Sequence, residues 1–295
     1  MSSKKKSKRS GNKGNHAPRP RGFAGVRPDK GLGQNFLIDE EVIGTIVRES
    51  GVSKDTLVIE IGPGTGALTL PLAEAAGRVI AVELDENMIE GLRIKTFGMD
   101  NVEIIHQDIL ETDIKSLATE AMAEHGLTEL RIIGNLPYYI TTPIIMKLLE
   151  SDTGAKSITV MMQKEVADRI AAEPGTRASG AITYPVHYHA RVSEIAFVPR
   201  ECFYPAPKVD SAVLRLDLRN EPAVCVKDEE LMMRCIKAGF SMRRKTLLNS
   251  LTALGYQNKE ILSKALDAAG IDPSRRAETL SLEEFAKLSD SLQEA

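Results

Sequence analysis

Leu57-Val58-Ile59-Glu60-Ile61-Gly62-Pro63-Gly64-Thr65-Gly66 decides the fold of this chain. Leu57–Ile61 is a short, β-branched, apolar run, and the glycines that follow let the backbone turn tightly and approach a ligand. The helix-like stretch Leu68–Ala76 comes next, which aims a helix N-terminus at the same place. The pattern repeats along the chain. Arg78–Val82, Val102–Ile105, Arg131–Ile133 and Ser157–Met161 read as strands, and Glu86–Lys95, Thr142–Glu150 and Glu165–Ala172 read as helices between them. Strands apolar on both faces and separated by helices make βαβ units around a buried parallel sheet, an α/β fold. Thr142 as N-cap followed by Pro143 predicts the start of one of these helices.

After Gly180 the pattern lengthens. Ile182–Arg191, Val192–Val198 and Ala212–Leu218 read as antiparallel strands closing one edge of the sheet, with a proline-rich loop, Phe203–Pro207, among them. Beyond Pro222 the sequence is helical, with starts expected at Asp272-Pro273 and at the capping box Ser281…Glu284. The expected division is a basic tail over residues 1–29, an α/β domain over 30–220 and a helical domain over 221–295.

Hydrophobic residues make up 42% and charged residues 27% of the 295, an ordinary globular composition. No run approaches the roughly 20 apolar residues of a membrane span. The basic N-terminus lacks the apolar core of a signal peptide. Cys202, Cys225 and Cys235 form no CxxC pair, so neither a disulfide framework nor a zinc site is expected, and a cytoplasmic location fits. Residues 1–30 carry ten basic residues against one acid, in a chain whose formal total is −3. Such a tail is too polar to fold alone and is suited to neutralising phosphates.

Glu83 at the end of the second strand stands where an acid accepts hydrogen bonds from ribose hydroxyls, and Asp108 follows the third strand in a comparable place. Gly62, Gly64 and Ala67 satisfy the relaxed dinucleotide pattern, so the loop alone leaves a dinucleotide open. Two features favour S-adenosylmethionine instead: the GxGxG spacing, and Glu60, whose carboxylate would repel a pyrophosphate and suit a cationic amino acid.

The fourth strand ends in Asn135-Leu136-Pro137-Tyr138. An exocyclic adenine amine is a poor nucleophile because its lone pair is conjugated into the ring. Two acceptors, the Asn135 side-chain oxygen and the Leu136 carbonyl, would hold its hydrogens out of plane and aim the lone pair at a methyl group. Pro137 stiffens the turn and Tyr138 offers a stacking face, worth about 1–3 kcal/mol per base. No general base is required, because the nitrogen becomes acidic once methylated; rate would come from orientation and fixed electrostatics.

The sequence resembles the small-subunit (16S-type) ribosomal RNA adenine N6,N6-dimethyltransferase family, whose loss confers kasugamycin resistance. Five ordered motifs carry the resemblance: Lys30–Leu37 (KGLGQNFL), Glu60–Thr69 (EIGPGTGALT), Asn135–Thr141 (NLPYYIT), Phe203–Ser211 (FYPAPKVDS) and Phe240–Leu247 (FSMRRKTL). The resemblance implies a Rossmann-like S-adenosylmethionine-dependent methyltransferase sheet with a smaller C-terminal all-helical domain that contacts RNA. It implies dimethylation of two adjacent adenines in the 3′-terminal hairpin of small-subunit rRNA within an assembling subunit; nothing in the sequence demands a dimer, so a monomer is expected, and no metal is expected. Asn35, Leu37, Gly62, Glu83, Asp108 and Asn135 would then contact the cofactor. Asn135, Leu136, Pro137 and Tyr138 would position the target base, with Phe203 stacking on its other face, and Arg243, Arg244 and Lys245, on an expected helix, would meet phosphates.

Arg275-Arg276 is a weaker candidate for RNA. His187 and His189 alternate on an expected strand, but without a third ligand they suggest no metal site. Two positions depart from the family's habit, Ser179 where Tyr is common and His187 where Gln is common, which leaves any RNA contact of that stretch open. Competing readings are the large-subunit methyltransferases of macrolide resistance, which usually carry Ile where Leu136 stands, and a non-catalytic assembly or transcription factor on the same fold.

Overall fold

The computed structural model describes residues 33–242, 244–256 and 258–294; the basic tail and Arg243 lie outside these. Its first half is a regular alternation: β1 (Phe36–Leu37), α1 (Glu40–Glu49), β2 (Thr56–Ile61), α2 (Thr69–Ala75), β3 (Arg78–Glu83), α3 (Glu86–Lys95), β4 (Val102–His106), α4 (Ile114–His125), β5 (Glu129–Asn135), α5 (Thr141–Glu150), β6 (Ser157–Gln163) and α6 (Lys164–Ala171). The turn to antiparallel structure follows with α7 (Thr183–His189), β7 (Ala190–Val198), β8 (Phe203–Tyr204) and β9 (Ser211–Leu218). Four helices end the chain: α8 (Glu229–Phe240), α9 (Leu247–Leu251), α10 (Lys259–Ala268) and α11 (Leu282–Gln293).

Seven strands form one sheet in the order β4-β3-β2-β5-β6-β9-β7. The first five are parallel, and β9 runs antiparallel to both β6 and β7. β2, β5 and β6 are buried on both faces, as strands covered by helices must be. Chain order reverses between β2 and β5, and at such a switch point the two following loops diverge and open a crevice at the carboxyl ends of the strands.

One expected strand is a helix. Ile182–Arg191 places an apolar or aromatic residue at every second position, which mimics a strand, yet Thr183–His189 is helical. The alternation arises because this short helix is buried on two sides: Ile182, Val186 and Ala190 pack into the sheet's core, while Tyr184 and Tyr188 pack among α8–α11. Pro185 falls in the first turn, where its missing N–H has no partner to lose. His187 and His189 are therefore not neighbours on one strand face. His187 Nε2 meets Ile170 O at 3.1 Å, and His189 Nε2 faces Glu229 Oε1 at 3.4 Å.

Local starts and stops differ elsewhere. Helix α5 begins at Thr141 after Ile140 and has no side-chain cap, so Thr142 lies inside the helix rather than capping it; the Thr141 hydroxyl donates to Pro137 O at 3.0 Å instead. Asp272-Pro273 opens a turn, with Asp272 Oδ1 accepting from Ser274 N, and no helix begins there. Helix α8 stops at Phe240, so Arg244 and Lys245 sit in the turn before α9 and not on a helix. The Ser281–Glu284 capping box of α11 forms as expected.

Candidate active site

At the end of β2 the glycine loop is pinned by its backbone: Gly62 N donates to Val82 O at 3.0 Å and Gly66 N to Pro63 O at 2.9 Å. Gly64 and Gly66 have φ of +52° and +82°, and a Cβ would stand 3.1 Å from the Phe36 ring at Gly64 and 2.7 Å from Leu92 Cδ1 at Gly66. Side chains are excluded there both by conformation and by space.

Glu83, at the end of β3, is buried and faces the loop. Its Oε2 accepts from Gly64 N at 3.0 Å, and its Oε1 from Leu84 N at 2.8 Å and Asp85 N at 2.9 Å. Burial raises its pKa, although the three N–H groups favour the charged form. Asp108 lines the same crevice two residues past β4, where its Oδ1 accepts from Leu110 N at 2.8 Å.

Gly33–Leu37 supplies another wall of this pocket. β1 pairs Leu37 with Phe203 and Phe36 with Tyr204, and Gln34 Nε2 donates to Asp85 Oδ2 at 2.7 Å. Asn35 folds its side chain back onto Gly33 O at 2.9 Å and leaves its own carbonyl to accept from Asn135 Nδ2 at 3.1 Å. With the amide nitrogen of Asn135 engaged, Oδ1 is the end without a partner among the described residues.

The Asn135–Tyr138 turn is tied down on both sides of Leu136, whose N–H donates to Met161 O at 3.1 Å; Pro137 O accepts from Ile140 N at 3.2 Å. The Leu136 carbonyl takes no hydrogen bond among the described residues, so two oxygen acceptors of adjacent residues are left open at the crevice. Tyr138 is half-buried and its hydroxyl meets Ser211 Oγ at 2.8 Å. Tyr139 lies exposed beside it, with its ring over Gly33.

Glu60 corrects one expectation. It is buried and lines the pocket, and among the described residues its Oε2 makes no well-formed hydrogen bond, although the nearby Thr69 hydroxyl favours its charged form. Burial pushes the Glu60 carboxyl up to about 8, and Glu83 adds to the rise. At neutral pH and without a ligand Glu60 is therefore mainly protonated, and a fixed negative charge is not what the loop offers.

The structure brings Asn35, Leu37, Gly62, Glu83, Asp108, Asn135, Leu136, Pro137 and Tyr138 onto one pocket. It does not bring Phe203 there. That side chain is 3% exposed and packs with Leu37, Ile46 and Val213, because β8 turns it into the core; a stacking face for the base is not available at Phe203. Arg244 and Lys245 are exposed. Arg275 pairs with Glu284 Oε1 at 2.5 Å and braces the last turn before α11, which gives it a structural duty. Ser179 donates to Thr176 O and Glu278 O, so this position and His187 are packing residues between the sheet and the terminal helices. Sequence reasoning missed Gln34, Asp85, Tyr139 and Ser211; the motifs around them were visible, but the contacts that bring them to the site join distant segments, 51 residues apart for Gln34 and Asp85 and 73 for Tyr138 and Ser211.

A Gly-rich turn at a switch point, with acids at the ends of adjacent strands and an Asn-Leu-Pro-Tyr turn across the crevice, defines the class of Rossmann-like methyltransferases. More narrowly, the family model for ribosomal RNA adenine dimethylase matches residues 27–294, and the chain belongs to that family. It is 49% identical over 266 residues to ribosomal RNA small subunit methyltransferase A of Geobacillus thermodenitrificans, covering 89% of this chain and 90% of that protein. The same-named protein of Clostridium acetobutylicum is 47% identical, covering 90% and 94%. Among solved structures, a dimethyladenosine transferase from Plasmodium falciparum superposes with a TM-score of 0.69 at 25% identity, over 86% of this chain and 95% of that one. The 23S rRNA methyltransferase ErmE gives 0.65 at 28%, over 88% and 100%.

Proposed function

We propose that this protein transfers methyl groups from S-adenosylmethionine to N6 of two adjacent adenines in the 3′-terminal hairpin of small-subunit rRNA, acting as a cytoplasmic monomer on an assembling subunit. The observation that carries the reading is the pair of open acceptors, Asn135 Oδ1 and Leu136 O, on the same crevice as the glycine loop. The names of its near-half-identical relatives support the small subunit as substrate.

The residues present fit S-adenosylmethionine. Glu83 Oε2, which accepts from Gly64 N alone, keeps a second lone pair for a ribose hydroxyl, while Oε1 is already engaged by Leu84 N and Asp85 N; Asp108 Oδ2 takes no hydrogen bond among the described residues and can accept from an adenine amino group. The orphaned Glu60 Oε2 is a buried acceptor that a ligand ammonium would satisfy. When bound, the cofactor supplies an electrophilic methyl group.

The chain's own part is orientation. Asn135 and Leu136 hold the two N6 hydrogens of the target out of the ring plane, which frees the lone pair for attack. Tyr138 stacks on the base, which must leave its helix or be unpaired already, at a few kcal/mol. Arg244 and Lys245, with Arg243 beside them, meet phosphates and add salt-sensitive affinity without sequence preference.

The test is methyl transfer from labelled S-adenosylmethionine to undermethylated small and large subunits, with the labelled nucleosides identified by mass. Dimethyladenine at two adjacent small-subunit positions is the expected result. The likeness to ErmE favours a second reading, a large-subunit adenine methyltransferase, which label in the large subunit would establish.

A further inference from the structure

We infer that the Ser211 hydroxyl holds the Tyr138 ring in the plane in which it meets the target base, so that Ser211 is a positioning residue of the methyl-transfer reaction. The inference rests on the stacking role proposed for Tyr138.

Tyr138 lies in a turn whose backbone ties end at Leu136 and Pro137. Its side chain has two free torsions, and a half-buried ring with one unfixed end would sample several planes. The 2.8 Å contact between Tyr138 Oη and Ser211 Oγ fixes the far end of the ring. The anchor is rigid. Ser211 is fully buried and is the first residue of β9, flanked by Gln163 of β6 and Val198 of β7. The residue before it is clamped as well: Asp210 O accepts from Lys164 N, and Asp210 Oδ1 from Arg200 N, both at 3.0 Å.

The hydroxyl therefore cannot drift. Serine is the smallest side chain that can supply it where three strands meet. The segment Phe203–Ser211, whose phenylalanine is turned into the core, thus reaches the reacting base through its last residue. Burial raises the phenol's pKa, which keeps the proton for this hydrogen bond at working pH. A flat base gains most from a ring that is already parallel to it, since a ring that must first be ordered gives back part of the stacking energy.

The experiment compares wild type, S211A, Y138F and the double variant on undermethylated small subunits, each well below its own melting temperature. Expected is a fall of about tenfold in kcat for S211A, the loss of one hydrogen bond to a positioned group, with the KM for S-adenosylmethionine unchanged. Y138F, which keeps the ring and removes the tether, should fall equally, and the double variant should fall no further. Ring resonances of 13C-labelled tyrosine should show Tyr138 averaging its environment in S211A.

Unchanged kcat in S211A, or additive losses in the double variant, would overturn the inference. So would a rise in KM for the cofactor equal to the whole loss, because that signals a displaced sheet edge rather than a freed ring. If wild type itself methylates neither subunit, the functional reading falls and takes this inference with it; an active wild type with an unaffected S211A removes this inference alone.

Discussion

The two edges of the sheet treat their polar groups in opposite ways. At the amino ends of the strands, charges are matched within the protein: Arg131 donates to Glu129 Oε2 at 3.0 Å and to Ser157 Oγ at 2.9 Å, and Lys156 pairs with the same glutamate. Arg215 holds Asp217 at 2.8 Å and Glu49 O at 2.6 Å, and Lys54 Nζ reaches Glu74 O and Ala76 O. The orphaned atoms there are single Nε–H groups of arginines. At the carboxyl ends a carboxyl oxygen of Glu60, the Oδ1 of Asn135 and the carbonyl of Leu136 lack partners among the described residues. One edge satisfies most of its polar groups internally and leaves only single donors over, and the other leaves acceptors for something else to fill. Variants on the first edge should therefore change stability, and variants on the second should change chemistry.

The largest contrast is expected from Asn135→Ala, which removes one of two open acceptors. Methyl transfer should drop about a thousandfold while RNA binding, followed by filter retention, stays within twofold. Retained turnover would break the division between the edges at its centre.

Glu60→Gln sharpens it on the same edge by pH. A carboxyl raised from 4.5 to about 8 binds an extra proton in the folded state, so its contribution to stability is fully present below pH 4.5 and is lost as pH rises through about 8. The ligand-free wild type should melt progressively lower between those values. The glutamine variant should lack this dependence and be the more stable at pH 9 by an amount on the order of a few kcal/mol, while binding S-adenosylmethionine more weakly. Parallel melting curves of the two proteins from pH 5 to 9 would refute the assignment.

On the opposite edge, Glu129→Gln leaves Arg131 largely buried with a weaker partner and should cost about 1–2 kcal/mol by urea denaturation, with kcat unaltered. Asp152→Asn breaks an exposed pair with Lys115 and should change stability by less than about 1 kcal/mol, and by less still in high salt. Loss of kcat in either variant would mean that the amino edge is not merely structural.

Much of the fold was legible because periodicity is a local property. The five parallel strands, three of the four helices between them and part of the antiparallel closure can be read within windows of about ten residues, whereas α1 and α4 were not read; the glycine loop announces its own place at a strand end. The place of the Asn135–Tyr138 turn at the end of a strand was legible for the same reason. What escaped depends on partners far along the chain. A helix buried on two sides carries the alternation of a strand, and only the terminal helices packed against Tyr184 and Tyr188 explain it. The burial of Phe203 follows from its pairing with Leu37, which its own motif does not contain. The rise in the Glu60 pKa comes from burial, which its own motif does not reveal. The tie between Tyr138 and Ser211 joins two motifs, each of which was read alone.

Tyr184 has one more consequence. Its ring stacks edge-on against Phe285, and its hydroxyl donates to Leu280 O at 2.7 Å, while Val186 of the same short helix and its N-cap Ile182 are embedded under the sheet. Heat that loosens the terminal helices would strip this helix of half its burial and so unseat the sheet's flank. The terminal helices are thus tied to the sheet through this helix. In a calorimeter, sheet and helices should share a single endotherm, and two separate transitions would refute the coupling.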